Sequence, residues 1–416
     1  MSLKSIIISL FVLIITGLQH TYTIKQILIS DGTWYKFHEK HKDLIREDII
    51  LAVVKLLSCK HHIRGFYTYK CSNSNCTHSK KVAFTCKSKA CSSCGKKATA
   101  IWIHKQKDIL PKGKWQHITF TIPDVLWDFF WTSRYLLNLI AKLAAECIQS
   151  IAAIKNAIPG IFIAIHTFGR DLKRNVHIHL SVFLKGLSND GNKLVNLFFP
   201  QKELMKQWRY KIVNLFREAY YSGELAIPEK IQDRLNHTFT FNDFLNQQYQ
   251  KYWHVHCAKP TNSPKQNIEY FARYVKRPAI AESRLVHYDG NNVIFKYLDH
   301  KAKTLKEKIL SAEEFIAKFI SHIPDVNFRI IRYYGFLSNR KRGESLPEVL
   351  SLLHQKVEEQ TPPPSYNSLM EENFDVNPLK CTLCNSIMFT ASIQFGITSS
   401  KKLLHFHREL ALLKKI

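Results

Sequence analysis

Two short groups of side chains could together break a phosphodiester bond. In Val176-His177-Ile178-His179-Leu180, two histidines flank one apolar residue of a strand-like run. Histidines at positions i and i+2 of a strand face the same side, so they could share one metal ion. Later in the chain, Tyr270 and Tyr274 would share one face of a helix. A metal ion beside nucleophilic hydroxyls is a combination that cleaves phosphodiesters.

The histidine spacing does not choose the site by itself. The chain has 20 histidines, and two further triplets occur, His254-Val255-His256 and His405-Phe406-His407. The ordinary alternative for each is a pair of packed or surface histidines. The surrounding sequence must therefore decide which triplet could hold a metal ion.

The two tyrosines lie in a segment with clear helix signals. Ser263 is a suitable N-cap, Pro264 fits the first helical position, and Pro278 marks the end. An apolar stripe at helical spacing comprises Ile268, Phe271, Ala272 and Val275. The tyrosines lie off this stripe, although shielding of a core edge would also explain them. Three basic residues nearby could contact phosphates: Arg273, Lys276 and Arg277.

The segment from Cys59 to Cys94 has the spacing of a metal-binding module. Cys71-x4-Cys76 and Cys91-x2-Cys94 are two pairs of the kind that bind zinc locally. Further candidate ligands in the segment are Cys59, Cys86, His61, His62 and His78. One tetrahedral zinc site uses four ligands, and the segment has six cysteines. The segment could therefore bind a second zinc ion, or two of its cysteines could be spare. A looser candidate site comprises Cys381, Cys384, His405 and His407.

Charge and cysteine usage restrict the partner and the compartment. Sixty basic residues against 33 acidic ones give a net charge of +27, which favours nucleic acid or an anionic membrane surface. Ten lysines, among them Lys96 and Lys97, fall between residues 80 and 114. Residues 6–18 are apolar like a signal peptide, yet they are too short to span a bilayer and no clear cleavage site follows. We therefore expect a cytoplasmic, nucleoid-associated protein with a dispensable leader and no membrane partner.

The hydrophobic patterns predict an α+β chain. Predicted helices cover 34–57, 124–157, 201–221 and 311–320, and predicted strands cover 115–121, 161–168, 175–184, 252–257 and 292–297. A Pro-rich linker at 361–365 precedes the small tail.

The predicted hairpin around Gly169 to Arg174 bears on a third metal ligand. If the hairpin is symmetric, His166 lies opposite His177 on the same face. A one-residue slip of register would exclude His166. Asp171 in the turn is the alternative ligand.

In combination and order, these motifs resemble the two-tyrosine transposases of bacterial insertion sequences, the insertion sequence ninety-one family. The similar segments are the run Cys59 to Gly95, Phe120-Thr121-Ile122-Pro123, residues 165–171 with 176–182, the Tyr270-x3-Tyr274 block with Lys276-Arg277-Pro278, and residues 332–340. The resemblance covers roughly residues 22 to 342. Tyr67 departs from it, because a histidine is expected there.

The resemblance implies a fold and a domain plan. The fold would be an HUH endonuclease core, an antiparallel sheet flanked by helices, behind an N-terminal cysteine-rich zinc-binding module. The plan is an apolar leader at 1–22 from a start placed too far upstream, a zinc-binding DNA-contact domain at 23–105, the transposase domain at 106–345, and a linker with a small tail at 346–416.

The resemblance also implies a reaction. The enzyme would nick and rejoin single-stranded DNA at element ends and target through 5′-phosphotyrosine intermediates, driving rolling-circle transposition. Tyr270 and Tyr274 would be the nucleophiles, and His177, His179 and His166 would bind Mg²⁺ or Mn²⁺. Zinc would be bound by Cys71, Cys76, Cys91, Cys94, Cys59 and Cys86, and DNA by Arg273, Lys276, Arg277, Lys96 and Lys97.

Other functions fit parts of the same pattern. A rolling-circle replication initiator or relaxase would use the same chemistry at a replication origin. A non-catalytic, zinc-dependent DNA-binding protein would bind DNA without a covalent adduct. An exported or membrane-anchored protein would require processing at the leader.

Overall fold

The computed structural model describes residues 22–232, 238–272, 277–299, 302–356 and 361–412. The leader at 1–21 and the predicted site residues Arg273, Tyr274 and Lys276 lie outside the described residues. The described helices are α1 (Ile24–Ile29), α2 (Thr33–His41), α3 (Glu47–Leu57), α4 (Ser92–Ile109), α5 (Phe129–Thr132), α6 (Leu136–Ala153), α7 (Gln201–Tyr221), α8 (Glu229–Gln232), α9 (Thr238–Gln250), α10 (Pro264–Ala272), α11 (Ala312–Ser321), α12 (Arg342–Leu352), α13 (Tyr366–Phe374), α14 (Ser400–Leu403) and α15 (His407–Ala411). The described strands are β1 (Gly65–Cys71), β2 (Ser79–Ala83), β3 (Trp115–Thr121), β4 (Ala157–Ile158), β5 (Gly160–Phe168), β6 (Arg174–Phe183), β7 (Lys185–Ser188), β8 (Leu194–Asn196), β9 (Val255–Cys257), β10 (Leu285–Tyr288), β11 (Asn292–Leu298), β12 (Leu305–Ser311), β13 (Ile331–Gly335) and β14 (Met388–Phe395).

A five-stranded antiparallel sheet forms the centre, in the order β13-β5-β6-β3-β9. Alternate side chains of its strands point to opposite faces. One face, with Ile163 of β5 and Ile178 of β6, packs in a large buried cluster with α6, α7 and α9. The other face, with Phe162 and Phe183, packs against α4, α10 and α12. The sheet therefore has helices on both faces, which confirms the predicted class of helices around an antiparallel sheet.

The N-terminal segment packs against later parts of the chain. A second buried cluster combines α1 and α3 with the small sheet β10-β11-β12, helix α11 and the final helices α14 and α15. A third sheet has the order β14-β1-β2, so the tail strand β14 pairs with the N-terminal strand β1. These contacts run across the domain boundaries drawn from sequence, and those boundaries stay a prediction.

Most predicted elements are present, with two differences in the helices. The predicted helix 34–57 is broken by a 3-10 turn at Lys42–Leu44 and continues as α3. The predicted helix 124–157 is divided into a 3-10 turn at Asp124–Leu126, the short α5 and the long α6, and Asn156 follows with a positive φ of 51°. The predicted strand 252–257 shortens to β9. Trp253, which precedes β9, is buried, and its Nε1 donates a hydrogen bond to Gln248 O.

Within the described residues, α6 is the one helix whose length and apolar composition would suffice to cross a membrane. Its Ile140, Ala144 and Ile148 are fully buried in the large cluster beside the central sheet. The apolar composition of α6 is therefore explained by packing in the protein core.

Candidate functional site

Three histidines converge on the sheet face that carries α10. His166, His177 and His179 each offer a ring nitrogen, and these atoms lie within 4.8 Å of one another. His166 pairs with His177 across β5 and β6, and His179 follows two positions along β6 on the same face. A common side of the sheet thus brings three imidazoles together, which is a ligand set suited to a divalent metal ion.

Hydrogen bonds orient two of these rings. His177 Nδ1 lies 2.9 Å from Asn175 O, and a carbonyl only accepts, so Nδ1 donates and Nε2 keeps its lone pair. That Nε2 lies 3.1 Å from His179 Nε2. Burial lowers the pKa of His177 to about 4, so the ring is neutral near neutral pH. A neutral imidazole is the form that binds metal.

His166 is the third histidine of the cluster. The register places it opposite His177, as the symmetric hairpin required. Asp171 instead has its carboxylate 3.4 Å from Lys308 Nζ and 3.4 Å from the backbone N–H of Lys173. The turn carboxylate is thus outside the histidine cluster.

Tyr270, on α10, lies beside His117 and His179 of the sheet. Its ring centroid is 4.5 Å from that of His117 and 6.4 Å from that of His179. The helix is attached to the sheet below by Asn267, which is buried and exchanges hydrogen bonds with Ser181 Oγ on β6 at 2.7 and 3.0 Å. Loss of either partner would leave a buried polar group unsatisfied, at a cost of about 1–3 kcal/mol.

The histidines and Tyr270 line an open cleft of ≈ 1130 Å³. Its wall contains residues from the sheet, from the N-terminus of α4 and from the segment after α10. Its basic residues are Lys96, Arg170, Lys173, Arg277 and Arg284, and its acidic ones are Asp171, Glu282 and Asp299. The excess of cations suits a polyanionic ligand.

Of the predicted DNA contacts, Arg277 is exposed and lines this cleft. Lys96 also lines it and lies 4.9 Å over the ring of Phe374. Lys97 lies 5.3 Å over the ring of Tyr366. Both lysines therefore contact α13 of the tail, which a sequence pattern could not reveal.

The other two triplets have different surroundings. His254 is exposed beside Tyr252, whereas His256 lines the same cleft as Tyr270. His407 Nε2 accepts a hydrogen bond from Trp34 Nε1 at 2.7 Å. The suggestion that His405 and His407 complete a metal site with Cys381 and Cys384 is therefore wrong, because the thiols of those cysteines lie in another cluster.

One four-cysteine cluster joins the end of α3 to the start of α4. Its members are Cys59, Cys86, Cys91 and Cys94, all buried. Their Sγ atoms are separated by 3.6 to 3.8 Å in the closest pairs. Zinc–sulfur bonds of about 2.3 Å give a tetrahedron with edges of about 3.8 Å. The spacing thus fits one zinc ion.

The thiols of this cluster compete for protons. Hydrogen bonds to Cys86 and Cys91 lower the pKa of Cys59 to about 7. Hydrogen bonds from the other three thiols lower the pKa of Cys94 further. Hydrogen bonds among the same groups raise the pKa of Cys86 and Cys91. Thiolate character at neutral pH is what a zinc ligand needs.

Cys71 and Cys76 lie in a second cluster, with Cys381 and Cys384. The two cysteine pairs of the sequence, Cys71/Cys76 and Cys91/Cys94, thus lie in different clusters, since β14 brings the tail cysteines to β1. His78 Nδ1 is 3.2 Å from Cys381 Sγ. His61 accepts from the backbone N–H of Ile63 and is outside both clusters, as is His62.

We predict that Cys91→Ser with Cys94→Ser removes the zinc ion of the first cluster and unfolds the N-terminal module. Structural zinc contributes about 10–16 kcal/mol in small zinc-binding peptides, and folding depends on it. Elemental analysis of the purified protein and thermal unfolding measure both effects. Zinc content equal to that of the wild type would contradict this assignment.

His117 was missed by the sequence reasoning. Its Nε2 lies 3.2 Å from His179 Nδ1, and its ring contacts Tyr270. A signal was available, because His117, Thr119 and Thr121 alternate with buried Ile118 and Phe120 along β3. This alternation assigns the polar residues to the histidine face once β3 is known to pair with β6.

Comparison with known proteins places this chain among transposases. Residues 29–122 match the family described as “Transposase zinc-binding domain”, and residues 160–344 match the family described as “Putative transposase”. The chain is 35% identical over 380 residues to “Transposase for insertion sequence element IS801” of Pseudomonas savastanoi pv. phaseolicola, covering 90% of each chain. It is 28% identical over 363 residues to “Putative transposase y4qJ” of Sinorhizobium fredii, covering 84% of this chain and 90% of the relative. No solved structure gave a significant match.

Proposed function

This chain belongs to the insertion sequence ninety-one family of transposases, and we propose that it nicks and rejoins single-stranded DNA through 5′-phosphotyrosine intermediates. The observation that carries the proposal is that Tyr270 and three converging histidines line one basic cleft. The proposed outcome is rolling-circle transposition from element ends to a target.

The histidine set supports a divalent ion in this cleft. His166, His177 and His179 bring their nitrogens within 4.8 Å, and His177 directs a neutral Nε2 toward His179. We propose that these residues would hold Mg²⁺ or Mn²⁺. A bound ion would act as a Lewis acid that polarises the scissile phosphate.

In the proposed cleavage step, the Tyr270 hydroxyl oxygen attacks phosphorus. The tyrosine O–P bond forms as the bond from phosphorus to the 3′ oxygen breaks, and the hydroxyl proton is ultimately transferred to that leaving oxygen. The products are a 5′-phosphotyrosine and a free 3′-hydroxyl. Rejoining needs neither ATP nor water, because the adduct conserves the phosphodiester bond.

Tyr274 would serve as the second nucleophile. It follows Tyr270 by one helical turn in the sequence pattern, although it lies outside the described residues. With two nucleophiles, a second strand can be cut while the first stays attached. We further propose that Arg277 and Lys96, which line the cleft, contact the phosphates beside the cut. Arg273, Lys276 and Lys97 would add further phosphate contacts.

A cytoplasmic location is part of the proposal. Two clusters of cysteine thiols need a reducing compartment to bind zinc, and no cysteine among the described residues is in a disulfide. The DNA substrate is reached in the same compartment.

The proposed reaction is tested with element-end oligonucleotides. Protein, Mn²⁺ and a strand labelled on the 3′ side of the cut should give a denaturant-resistant adduct, whereas a label on the 5′ side should appear in a free shorter strand. The same sequence as a fully paired duplex should give little product. Covalent attachment of the 5′-side fragment to the protein would show the opposite polarity and contradict the proposed mechanism.

His117 provides a further prediction, since it hydrogen-bonds His179 and contacts Tyr270. Removing a residue that orients a metal ligand typically costs about 10- to 100-fold in metal affinity or activity. We therefore expect His117→Ala to raise the Mn²⁺ concentration needed for half-maximal cleavage by about that factor. His117→Gln retains a hydrogen-bonding group and should recover part of the loss, and an unchanged Mn²⁺ requirement in His117→Ala would rule this role out.

A further inference from the structure

The N-terminal module and the C-terminal tail meet at a cluster of four cysteines. Cys71 and Cys76 come from the N-terminal module, and Cys381 and Cys384 come from the tail. We propose that these four thiolates bind a second zinc ion, which fastens the tail to the N-terminal module. The proposal is independent of the cleavage reaction.

The spacing of the sulfur atoms fits a tetrahedral site. Cys71 Sγ lies 3.4 Å from Cys384 Sγ, and Cys76 Sγ lies 3.8 Å from Cys381 Sγ. All four atoms are within 4.8 Å of one another. A zinc tetrathiolate has sulfur separations of about 3.8 Å. Thiolates select zinc over magnesium or calcium, which prefer oxygen ligands.

Backbone turns prepare both halves of the site. On the module side, the N–H of Cys76 donates to Asn73 O at 2.9 Å, and the N–H of Cys71 donates to His78 O at 3.0 Å. On the tail side, the N–H of Asn385 donates to Cys381 O at 3.1 Å, and Asn385 has a positive φ of 59°. Each half is thus a tight turn that presents two thiols from nearby positions.

Strand pairing brings the two halves together. Cys71 is the last residue of β1 and pairs with Met388, the first residue of β14. Cys381 and Cys384 lie on the turn that leads into β14. The register of β1 with β14 therefore determines which cysteines meet, although 310 positions separate Cys71 from Cys381.

The apolar core beside these four cysteines is small, so a metal ion would contribute much of the stability of this end of the module. Among the described residues, the buried apolar cluster here comprises Tyr69, Cys71, Cys381 and Met388, with Cys76, Val82 and Leu379 partly buried against it. On β14, Phe389, Ile393 and Phe395 are exposed. Such a small unit cannot bury enough apolar surface for stability, and metal binding is the usual substitute.

His78 lies beside the four thiols and could stabilise the negative charge of the Cys381 thiolate. Its Nδ1 lies 3.2 Å from Cys381 Sγ. A hydrogen bond from the imidazole N–H stabilises a thiolate, as outer-shell partners of metal ligands do. Four thiolates complete the tetrahedron, so His78 serves as a hydrogen-bond donor in this site.

The consequence concerns the extent of the zinc-binding module. The matched zinc-binding region ends at residue 122, yet half of the second ligand set comes from residues 381–384. Loss of the tail would then leave Cys71 and Cys76 as an incomplete site. Zinc at the second site therefore requires both ends of the chain.

Zinc content of the full chain tests the proposal. The wild type should contain two zinc ions per chain, and Cys381→Ser with Cys384→Ser should contain one. Cys257→Ser, which removes a thiol outside both clusters, is the matched control and should retain two. Cys384→His supplies a replacement nitrogen ligand and should retain more zinc than Cys384→Ser. Equal zinc content in the wild type and the double variant would overturn the proposal.

Alkylation of the native protein supplies a second readout. In the double tail variant, Cys71 and Cys76 should lose their protection against iodoacetamide, while Cys59 and Cys94 should keep theirs. Continued protection of Cys71 and Cys76 in the double tail variant would contradict a zinc site shared by the N-terminal module and the tail. A disulfide between Cys71 and Cys384 in the wild type, purified under reducing conditions, would also contradict it.

Discussion

Replacing both Tyr270 and Tyr274 with phenylalanine is expected to abolish the covalent adduct between protein and DNA. The double variant lacks both hydroxyl nucleophiles and retains both rings, so packing against His117 should persist. Removal of a catalytic nucleophile lowers the rate of an enzyme by several orders of magnitude. We therefore expect the cleavage rate to fall by at least about 10³-fold. Gel analysis after denaturation, with a label on the 3′ side, measures the adduct.

The single variants and a matched control complete that experiment. Tyr270→Phe and Tyr274→Phe should each retain some adduct if either hydroxyl can attack. Tyr252→Phe removes the hydroxyl of an exposed tyrosine that is outside the cleft lining and should leave adduct formation unchanged. Undiminished adduct in the double variant would refute the assignment of the nucleophiles.

The second large effect is expected at the metal ligands. His177→Ala with His179→Ala removes two of the three converging imidazoles, so cleavage should fall by at least about 10³-fold while DNA binding remains within a few-fold. Binding to DNA is dominated by contacts between cations and phosphates, and the cleft keeps its lysine and arginine side chains in this variant. Oligonucleotide cleavage in Mn²⁺ and fluorescence anisotropy at fixed salt measure the two properties separately.

His254→Ala is the control for that pair. His254 belongs to another His-x-His triplet, is exposed, contacts Tyr252, and is outside the cleft lining. Its replacement should leave cleavage near the wild-type rate. His256 is unsuitable as a control, because it lines the cleft. A larger loss in His254→Ala than in the His177/His179 variant would show that the wrong triplet was chosen.

The histidine cluster could be anticipated because its geometry is local. His177 and His179 share a face by strand periodicity, and a short turn fixes the register that brings His166 opposite His177. Helix signals around Ser263 and Pro264 likewise located α10. Each of these inferences used residues close together in the chain.

Contacts between distant segments could not be anticipated. Ten cysteines occur in the sequence, and the pairing of β1 with β14 determines which of them meet in the second cluster. No local pattern encodes that pairing. His117 joined the site only through the pairing of β3 with β6. The break at Lys42–Leu44 separates α2 from α3, and both helices pack in one buried cluster. Tertiary contacts decided the first two cases.

Mapping the covalent adduct by mass spectrometry tests the central claim most directly. Trypsin cuts after Lys265 and after Arg273, so Tyr270 and Tyr274 fall in different peptides, 266–273 and 274–276. The adduct is formed in Mn²⁺, trimmed with nuclease and digested, and the nucleotide-bearing peptide is sequenced. We predict a 5′-nucleotide linked through tyrosine in peptide 266–273, in peptide 274–276, or in both. A nucleotide attached to any other peptide, or none on either tyrosine while cleavage proceeds, would contradict the proposed mechanism.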